Sequence, residues 1–222
     1  CSGCRNLTSI EIPKSVTSIG NGAFRGCSGL TNINISKSVT RIGNEAFYGC
    51  SGLTSIEIPS NVNGIGAEAF RNCSGLTSLK ISSGVASIEN GAFRGCSGLT
   101  NINIPKSVTR IERYAFSGCK GLTSIEIPSS VTSIGDNAFS GCHGLTSINV
   151  SRDNTSYSSE KGILYDKNKT TLICTPVAKN GIIEIPSSVT SIGDGAFRGC
   201  SGLTSIDIPS SVTSIGNRAF EG

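Results

Sequence analysis

Residues Gly193–Ile215 read GDGAFRGCSGLTSIDIPSSVTSI, and most of the 222-residue chain is a series of near-copies of this 23-residue stretch. All eight phenylalanines of the chain lie in one column of the repeat, at the position of Phe197. A fixed period of this length predicts a solenoid, because one such unit cannot bury its own apolar face without its neighbours. A second column contains eight of the ten cysteines: Cys4, Cys27, Cys50, Cys73, Cys96, Cys119, Cys142 and Cys200.

Each unit has the same internal pattern. In Leu7–Pro13, Ile10 and Ile12 alternate with polar residues, which is typical of a half-buried strand, and the proline ends it. Val16–Ile19 is a second short alternation, and Ala23–Phe24 follows a Gly-Asn-Gly turn. We therefore predict a β-rich repeat solenoid of the α/β class, with 23-residue coils, one parallel sheet, a second row of short strands and short helical or 3-10 turns. Nine main strands are expected, centred near Glu11, Asn34, Glu57, Lys80, Asn103, Glu126, Asn149, Glu184 and Asp207.

One unit breaks the period. The step from Val150 to its counterpart Ile185 is 35 residues instead of 23. Within it, Gly162–Asp166 and Thr170–Cys174 are two apolar runs joined by three polar residues, which is a hairpin pattern. We expect a single solenoid over residues 1–222, a fragment of a longer array with uncapped ends. Residues 151–182 should form an inserted, extended repeat whose hairpin projects from the stack.

The pattern Leu-x-x-Ile-x-Ile-Pro-x-x-Val-x-x-Ile-Gly-x-x-Ala-Phe-x-x-Cys resembles the BspA-like leucine-rich repeat over essentially the whole chain. The proline after the strand, the pair Ala196–Phe197 and Cys200 match that repeat, and the inserted unit resembles its extended form. The resemblance implies a right-handed leucine-rich-repeat superhelix. It also implies a secreted or cell-surface protein that acts in adhesion to matrix proteins, host cells or other microbes. It carries over no catalytic and no binding residues.

Composition argues against several other functions. The net charge is +4 without a basic run, so we expect no nucleic-acid partner. No apolar stretch approaches the ~18 residues that span a bilayer, so no direct membrane insertion is expected. The aspartates are scattered rather than repeated, which predicts no metal, and nothing indicates a cofactor. The single histidine, His143, lies in a variable loop column, so an enzyme is the least favoured class.

The cysteine column allows two interpretations. Neighbouring coils place Cα atoms ~4.8 Å apart, which is within disulfide range. In-register side chains point the same way, however, so buried, reduced thiols are the favoured interpretation, and Cys174 in the hairpin is expected to be inert as well. Cys1 and Cys4 form a CxxC motif, but a metal or redox site would need a second pair or a βαβ context. Lipidation of Cys1 is a disfavoured alternative.

The exposed residues of the main strands form a polar, mildly acidic strip. This strip is either ordinary solubility patterning or a surface that receives a basic partner. Aromatic anchors usually carry interface energy, and the candidates are Tyr48, Tyr114, Tyr157 and Tyr165. Two of them lie in the inserted unit, which makes that unit the preferred contact region. The residues expected to contact a protein partner are Tyr157, Tyr165, Lys167, Lys169, Glu57, Lys80 and Glu126.

Two functional hypotheses follow. The first is a non-enzymatic, extracellular module that binds a matrix or cell-surface protein with a rigid repeat surface. The second is a structural element that stacks end to end into filaments or layers, because uncapped repeats expose open strand edges.

Overall fold

The computed structural model describes residues 2–222, which contain nineteen short strands. Cys1 lies outside the described residues, so the expectations about its lipidation and about a Cys1–Cys4 motif remain predictions. The strands are β1 Ser9–Glu11, β2 Ser18–Ile19, β3 Asn32–Asn34, β4 Arg41–Ile42, β5 Ser55–Ile58, β6 Gly64–Ile65, β7 Ser78–Ile81, β8 Ser87–Ile88, β9 Arg110–Ile111, β10 Ser124–Ile127, β11 Ser133–Ile134, β12 Ser147–Val150, β13 Tyr157–Glu160, β14 Ile163–Asp166, β15 Thr171–Cys174, β16 Gly181–Glu184, β17 Ser191–Ile192, β18 Leu203–Asp207 and β19 Ser214–Ile215.

The main strands pair in parallel with a register of one repeat. Glu57 of β5 lies opposite Lys80 of β7, and β1–β3, β10–β12 and β16–β18 pair in the same way. In residues 2–222, eight of the nine predicted main strands form, and the coil at Asn103 makes only an isolated bridge to Lys80. The predicted second row of strands is confirmed too, in the order β2-β4-β6 and β8-β9-β11. The solenoid prediction is thus confirmed.

The predicted helical or 3-10 turns are wrong. At Gly22, Phe24 and Gly26 the N–H groups donate to the carbonyl oxygens of the next coil rather than continuing a helix within the segment. A left-handed residue at the position of Gly22 also interrupts any helical run, with φ 60° there and φ 54° at Glu45. We call this set of three bonds between successive coils the turn ladder. It joins Gly22, Phe24 and Gly26 to Asn44, Ala46 and Tyr48 at 2.7–2.8 Å.

The core consists of columns of identical side chains. Successive phenylalanine rings from Phe24 to Phe139 stack with centroids 5.1–6.0 Å apart and nearly parallel planes. The leucine column is equally closed, since Leu30, Leu53 and Leu76 have no exposed surface. Each coil therefore completes the core of the coils on both sides, as expected for a repeat array.

The inserted repeat runs through the stack instead of projecting from it, which corrects the expectation from the sequence. The hairpin itself is confirmed, because β14 pairs antiparallel with β13 and with β15. On β14, Leu164 packs into the large N-terminal core, while Ile163 and Tyr165 pack into a second core formed with the C-terminal coils. Three consecutive apolar residues are buried here because both faces of the strand are covered. β15 then pairs in parallel with β17 and so continues the second row of strands.

Asn154 anchors the start of the insert and is fully buried. Its amide nitrogen donates to the carbonyl oxygens of Pro128 and Val131 at 2.8 and 2.9 Å, and its side-chain oxygen accepts from the backbone N–H groups of Ser156 and Tyr157. All the groups of this buried amide that can pair are paired, which is the condition for burying it without penalty.

From the second coil onward, the glycine before the column leucine is required by the close approach of neighbouring coils. A Cβ atom at Gly75 would lie 2.3 Å from the carbonyl oxygen of Ser51. We expect Gly75→Ala to lower the free energy of unfolding by about 1–3 kcal/mol, because the two coils must separate to admit the methyl group. Urea denaturation followed by circular dichroism measures this loss.

Gly64→Ala is the matched control. A Cβ atom at Gly64 meets nothing within 4 Å, and the backbone there does not require glycine. This variant should be neutral or more stable by about 0.4–1 kcal/mol, since alanine restricts the unfolded chain. Equal destabilisation by both substitutions would contradict the close-approach explanation.

Candidate binding surface on the parallel sheet

The outward-facing residues of the main strands form one continuous polar surface, which we call the front face. Parallel register places equivalent side chains of successive coils ~4.8 Å apart. Its central column runs through the centres of the main strands, and all of its residues are exposed: Glu11, Asn34, Glu57, Lys80, Asn103, Glu126, Asn149, Glu184 and Asp207.

The front face is acidic. Two of its carboxylates are in ion pairs, since Lys80 Nζ lies 2.7 Å from Glu57 Oε1 and Lys161 Nζ lies 3.3 Å from Glu184 Oε2. The other three belong to no ion pair among residues 2–222: Glu11, Glu126 and Asp207. Exposed pairs of this kind contribute little to stability, so the arrangement matters mainly for the surface potential.

An exposed isoleucine lies within this polar surface. Ile182 is 70% exposed and pairs in register with Ser205 in the column that flanks the centre. The other residues of that column are serine or asparagine, and this was the signal in the sequence that could have identified it. Ile182 gives the front face one apolar contact point next to the Lys161–Glu184 pair.

None of the four tyrosines predicted to be exposed anchors is fully exposed, since one is buried and three are half-buried. Tyr165 is only 1% exposed, because β14 is covered on both faces, so the expectation that it is accessible is wrong. Tyr157 is half-buried, and its hydroxyl oxygen accepts a hydrogen bond from the backbone N–H of Ile134 at 2.9 Å. Burial raises the pKa of Tyr165 to about 12, with Glu160 adding to the shift, and burial raises the pKa of Tyr157 as well.

Tyr48 and Tyr114 are half-buried on the turn side of the solenoid, away from the front face. The guanidinium groups of Arg25 and Arg71 lie 4.8 and 5.4 Å from the centre of the Tyr48 ring. Arg94 and Arg113 flank Tyr114 in the same way, at 5.2 and 5.6 Å. These cation–π contacts occupy the rings, which leaves them poor anchors for a partner.

The remaining predicted contact residues fall into two separate groups. Glu57, Lys80 and Glu126 lie together on the front face. Lys167 and Lys169 lie at the turn between β14 and β15, where Lys167 donates to the carbonyl oxygen of Asn154 and Lys169 forms an ion pair with Glu160. The structure does not bring the two groups into one site, and their contact with a partner stays a prediction.

The cysteine column has a role that the sequence analysis missed. The Cys50 thiol donates to the carbonyl oxygen of Phe24 at 3.0 Å, and the same bond recurs at Cys73, Cys96, Cys119 and Cys142 at 3.1–3.2 Å. These residues are reduced, as the favoured interpretation predicted. Each of these carbonyl oxygens also accepts a backbone N–H of its own coil, as that of Phe24 does from Cys27 at 3.1 Å, so the thiol is a second, weak donor that links two coils.

Burial also determines the chemistry of these thiols. It raises the pKa of Cys50 and Cys142 to about 12 and keeps those of Cys73, Cys96 and Cys119 well above their usual range. Burial raises the pKa of Cys174 to about 12 as well. Thiolate is the reactive form, so these groups are poor nucleophiles at neutral pH.

Residues 2–222 contain no group of three or more potential metal ligands among histidine, cysteine, aspartate and glutamate. No helix in the same residues is long and apolar enough to cross a membrane. His143 lies exposed in its loop.

The fold and its repeated columns define a leucine-rich-repeat solenoid. The family model described as "BspA type Leucine rich repeat region (6 copies)" matches residues 1–122, 64–174 and 178–222. The chain belongs to the BspA-type leucine-rich repeat family. Membership indicates a repeat module of the protein-binding or adhesion type, from a family of surface proteins. No curated protein matches the chain.

Several solved structures are similar over most of the chain. A leucine-rich cell surface protein from Faecalibacterium prausnitzii is 34% identical, with a TM-score of 0.73 over 97% of this chain and 67% of that one. The pneumococcal vaccine antigen PcpA is 27% identical, with a TM-score of 0.67 over 96% of this chain and 48% of that one. A leucine-rich repeat protein from Eubacterium ventriosum is 30% identical, with a TM-score of 0.62 over 83% and 52%. The chain thus spans about two thirds of the first protein and about half of the other two.

Proposed function

We propose that this chain is a non-enzymatic, extracellular module that binds a protein of the extracellular matrix or of a host or microbial cell surface through its front face. The observation that carries the proposal is the row of exposed carboxylates in which Glu11, Glu126 and Asp207 are in no ion pair among residues 2–222. Its similarity to a cell surface protein supports the location.

The geometry suits recognition of a basic protein segment. The strands hold the carboxylates at fixed positions, so little conformational entropy is lost when a partner binds. An acidic surface attracts a basic segment and determines which partners are accepted, while Ile182 offers an apolar contact within the polar surround. Of the four residues of the insert that were expected at the contact, Tyr165 is ruled out because it is buried. Tyr157, Lys167 and Lys169 remain secondary candidates, because each already has a partner within the chain.

The test is binding of the fluorescently labelled chain to a panel of purified extracellular-matrix proteins at two salt concentrations. Binding to at least one member is expected, weaker at higher salt because the attraction is electrostatic. Glu126→Lys should weaken it about tenfold, which corresponds to ~1.4 kcal/mol.

The control is Asp153→Lys, which makes the same charge change at an exposed residue of the insert. If both variants bind equally well, or if no member of the panel binds, the front face is not the recognition surface. End-to-end self-association stays a separate prediction. Light scattering on the same sample checks it, since stacking would raise the mean mass with concentration.

A further inference from the structure

A cleft of about 270 Å³ lies beside the insert, on the turn side of the solenoid. One wall is the turn of residues 135–140, and the other is the turn of residues 193–198. Between them lies an apolar floor formed by Phe139, Leu164, Ile173, Cys174 and Val177. The cleft therefore occupies the space in which one more turn of the repeat would be expected.

The cleft exists because the insert has a shorter turn. In a regular coil, four residues lie between the positions of Ile134 and Phe139. In the insert, Leu172 takes the isoleucine position, since it pairs with Ile192. Thr175 takes the phenylalanine position, since its N–H donates to the carbonyl oxygen of Ala196 at 2.7 Å. Only two residues lie between Leu172 and Thr175, so the turn of the insert is two residues shorter than that of a regular coil.

The shorter turn leaves one side of the turn ladder without acceptors. One coil earlier, Tyr114, Phe116 and Gly118 donate to Asp136, Ala138 and Ser140 at 3.2, 2.9 and 2.7 Å. The equivalent donors of the next coil are the N–H groups of Asn137, Phe139 and Gly141. No acceptor for them exists among residues 2–222. Asn137 and Phe139 line the cleft, and Gly141 lies just beyond its lining.

The opposite wall has unused acceptors. In the last coil, the carbonyl oxygens of Asn217 and Glu221 accept from Gly195 and Gly199 at 2.9 and 2.8 Å. Their counterparts facing the cleft are the carbonyl oxygens of Asp194 and Arg198, which accept no hydrogen bond from residues 2–222. Donors on one wall and acceptors on the other face the same gap, because ladder bonds run along the solenoid axis.

A buried hydroxyl supplies an independent sign of a missing ligand. Thr175 is 2% exposed and lines the cleft, and its Oγ1 has no hydrogen-bond partner. A buried polar atom without a partner is costly and uncommon in native structures. A ligand in the cleft would provide the partner for this oxygen.

The charges at the rim select among ligands. The carboxylates of Asp136 and Asp194 are exposed there. Asp136 also lies 3.5 Å from the guanidinium of Arg113, and Asp194 accepts from the backbone N–H of Asn217 at 2.7 Å. Arg198 pairs with Glu221 at 3.1 Å and donates to the side-chain oxygen of Asn137 across the cleft at 3.5 Å. An anionic ligand would face these two acids, whereas an uncharged backbone flanked by a basic side chain would complement them. The small volume of the cleft limits the buried part of a ligand to a few small residues.

We propose that this cleft binds the extended backbone of a short peptide segment of the protein partner. Its carbonyl oxygens accept from Asn137 and Phe139, and its N–H groups donate to the carbonyl oxygens of Asp194 and Arg198. A small apolar side chain covers the floor, and a basic residue lies against Asp136 and Asp194. This mode adds a missing rung to an existing ladder, as β-strand addition does at a sheet edge. The identity of the ligand as part of a partner rests on the proposed function.

The experiment titrates the ¹⁵N-labelled 222-residue chain with the capped peptide acetyl-Arg-Gly-Ala-Gly-amide and follows the backbone amide signals. Saturable downfield shifts of the Asn137 and Phe139 amide protons are expected, because these donors acquire acceptors. The same peptide with N-methylated backbone amides is the control, and it should bind at least tenfold more weakly because it cannot donate. Absence of saturable shifts, or equal binding by both peptides, overturns the proposal.

Two variants locate the binding. Thr175→Val keeps the shape but removes the hydroxyl, so affinity should fall about fivefold, the usual effect of one hydrogen bond, with an unchanged spectrum elsewhere. Ile173→Trp places a large ring over the floor and should abolish the shifts. Unchanged affinity in a folded variant of either kind overturns the proposal. If Ile173→Trp does not fold, Thr175→Val decides alone.

The outcome is separable from that of the proposed function. Glu126→Lys lies on the front face and should leave peptide binding unchanged while it weakens binding to the matrix protein. If the peptide fails to bind but matrix binding still depends on Glu126, then only the cleft proposal is wrong. If the peptide binds but no panel member does, the cleft is confirmed and the front-face proposal is wrong.

Discussion

Raising the pH from about 9 to about 11 in the presence of a reductant is expected to unfold the solenoid cooperatively, with a midpoint near pH 10. Thiols in an unfolded chain ionise near pH 9, whereas burial keeps seven thiols of the folded chain protonated well above that value. A raised pKa in the folded state means that the stabilisation is complete below pH 9 and is lost as the pH rises. The seven are Cys50, Cys73, Cys96, Cys119, Cys142, Cys174 and Cys200.

The expected size of the effect is large because the thiols act together. Once the unfolded form is ionised, each thiol lowers the free energy of unfolding by ~1.4 kcal/mol for every pH unit. Seven thiols together lower it by roughly 10 kcal/mol per pH unit. Domains are stable by about 5–15 kcal/mol, so about one pH unit is enough to unfold the chain. Far-UV circular dichroism monitors the fold, and thiolate absorbance in the same sample monitors ionisation. The two transitions should coincide.

Two variants test the assignment to the column. The double variant Cys73→Ala/Cys96→Ala removes two of the seven thiols and should reduce the slope of stability against pH by roughly 3 kcal/mol per unit. Cys4→Ala, which removes an exposed thiol of the same column, is the matched control. A fold that persists at pH 11.5, or a slope that the double variant does not alter, would show that the buried thiols do not control alkaline stability.

Phe70→Ala is expected to lower the free energy of unfolding by about 3–5 kcal/mol. The Phe70 ring is fully buried and is stacked between Phe47 and Phe93, with centroids at 5.1 and 5.5 Å. Removing it leaves a cavity between two rings that cannot collapse, because the ladders on both sides hold the coils at their spacing. Urea denaturation measures the loss.

The matched control is Phe220→Ala in the last coil. Phe220 is 42% exposed and stacks on only one ring, that of Phe197, at 5.1 Å. Its replacement should cost about 1 kcal/mol or less, since little buried surface is lost and no enclosed cavity forms. A cost at Phe70 no greater than that at Phe220 would mean that the ring column contributes little to the stability of the array.

The regular part of the fold could be predicted because the same type of residue recurs at the same position of each unit, and therefore in the same structural environment. Ile10 and its counterparts alternate with polar residues in every unit, so the strand and its buried face follow from a single unit. The turn at Ala23–Phe24 was misjudged, because short apolar segments between glycines do not reveal where their N–H groups donate. That choice depends on the neighbouring coil, which supplies acceptors such as the carbonyl oxygen of Ala46.

The candidate surface was less predictable than the fold. Glu57, Lys80 and Glu126 could be placed on the front face because they lie in a repeated column. Tyr165 could not, because its burial depends on whether one or both faces of β14 are covered, and only the stacked coils determine that. The unfilled ladder beside Thr175 was equally hidden, since it results from a difference of two residues in the length of one turn.

The insert divides the front face into two parts, and within each part the number of coils sets the spacing between side chains. On either side, duplicating or deleting one 23-residue coil would translate every later side chain by a strand spacing of ~4.8 Å without altering any type of buried contact. Across the insert this rule does not hold, because β13, β14 and β15 lie between β12 and β16 in the chain and the step there is 35 residues instead of 23. Changes in coil number can therefore adjust the spacing of charges within each half, while the insert alone determines the offset between Asn149 and Glu184.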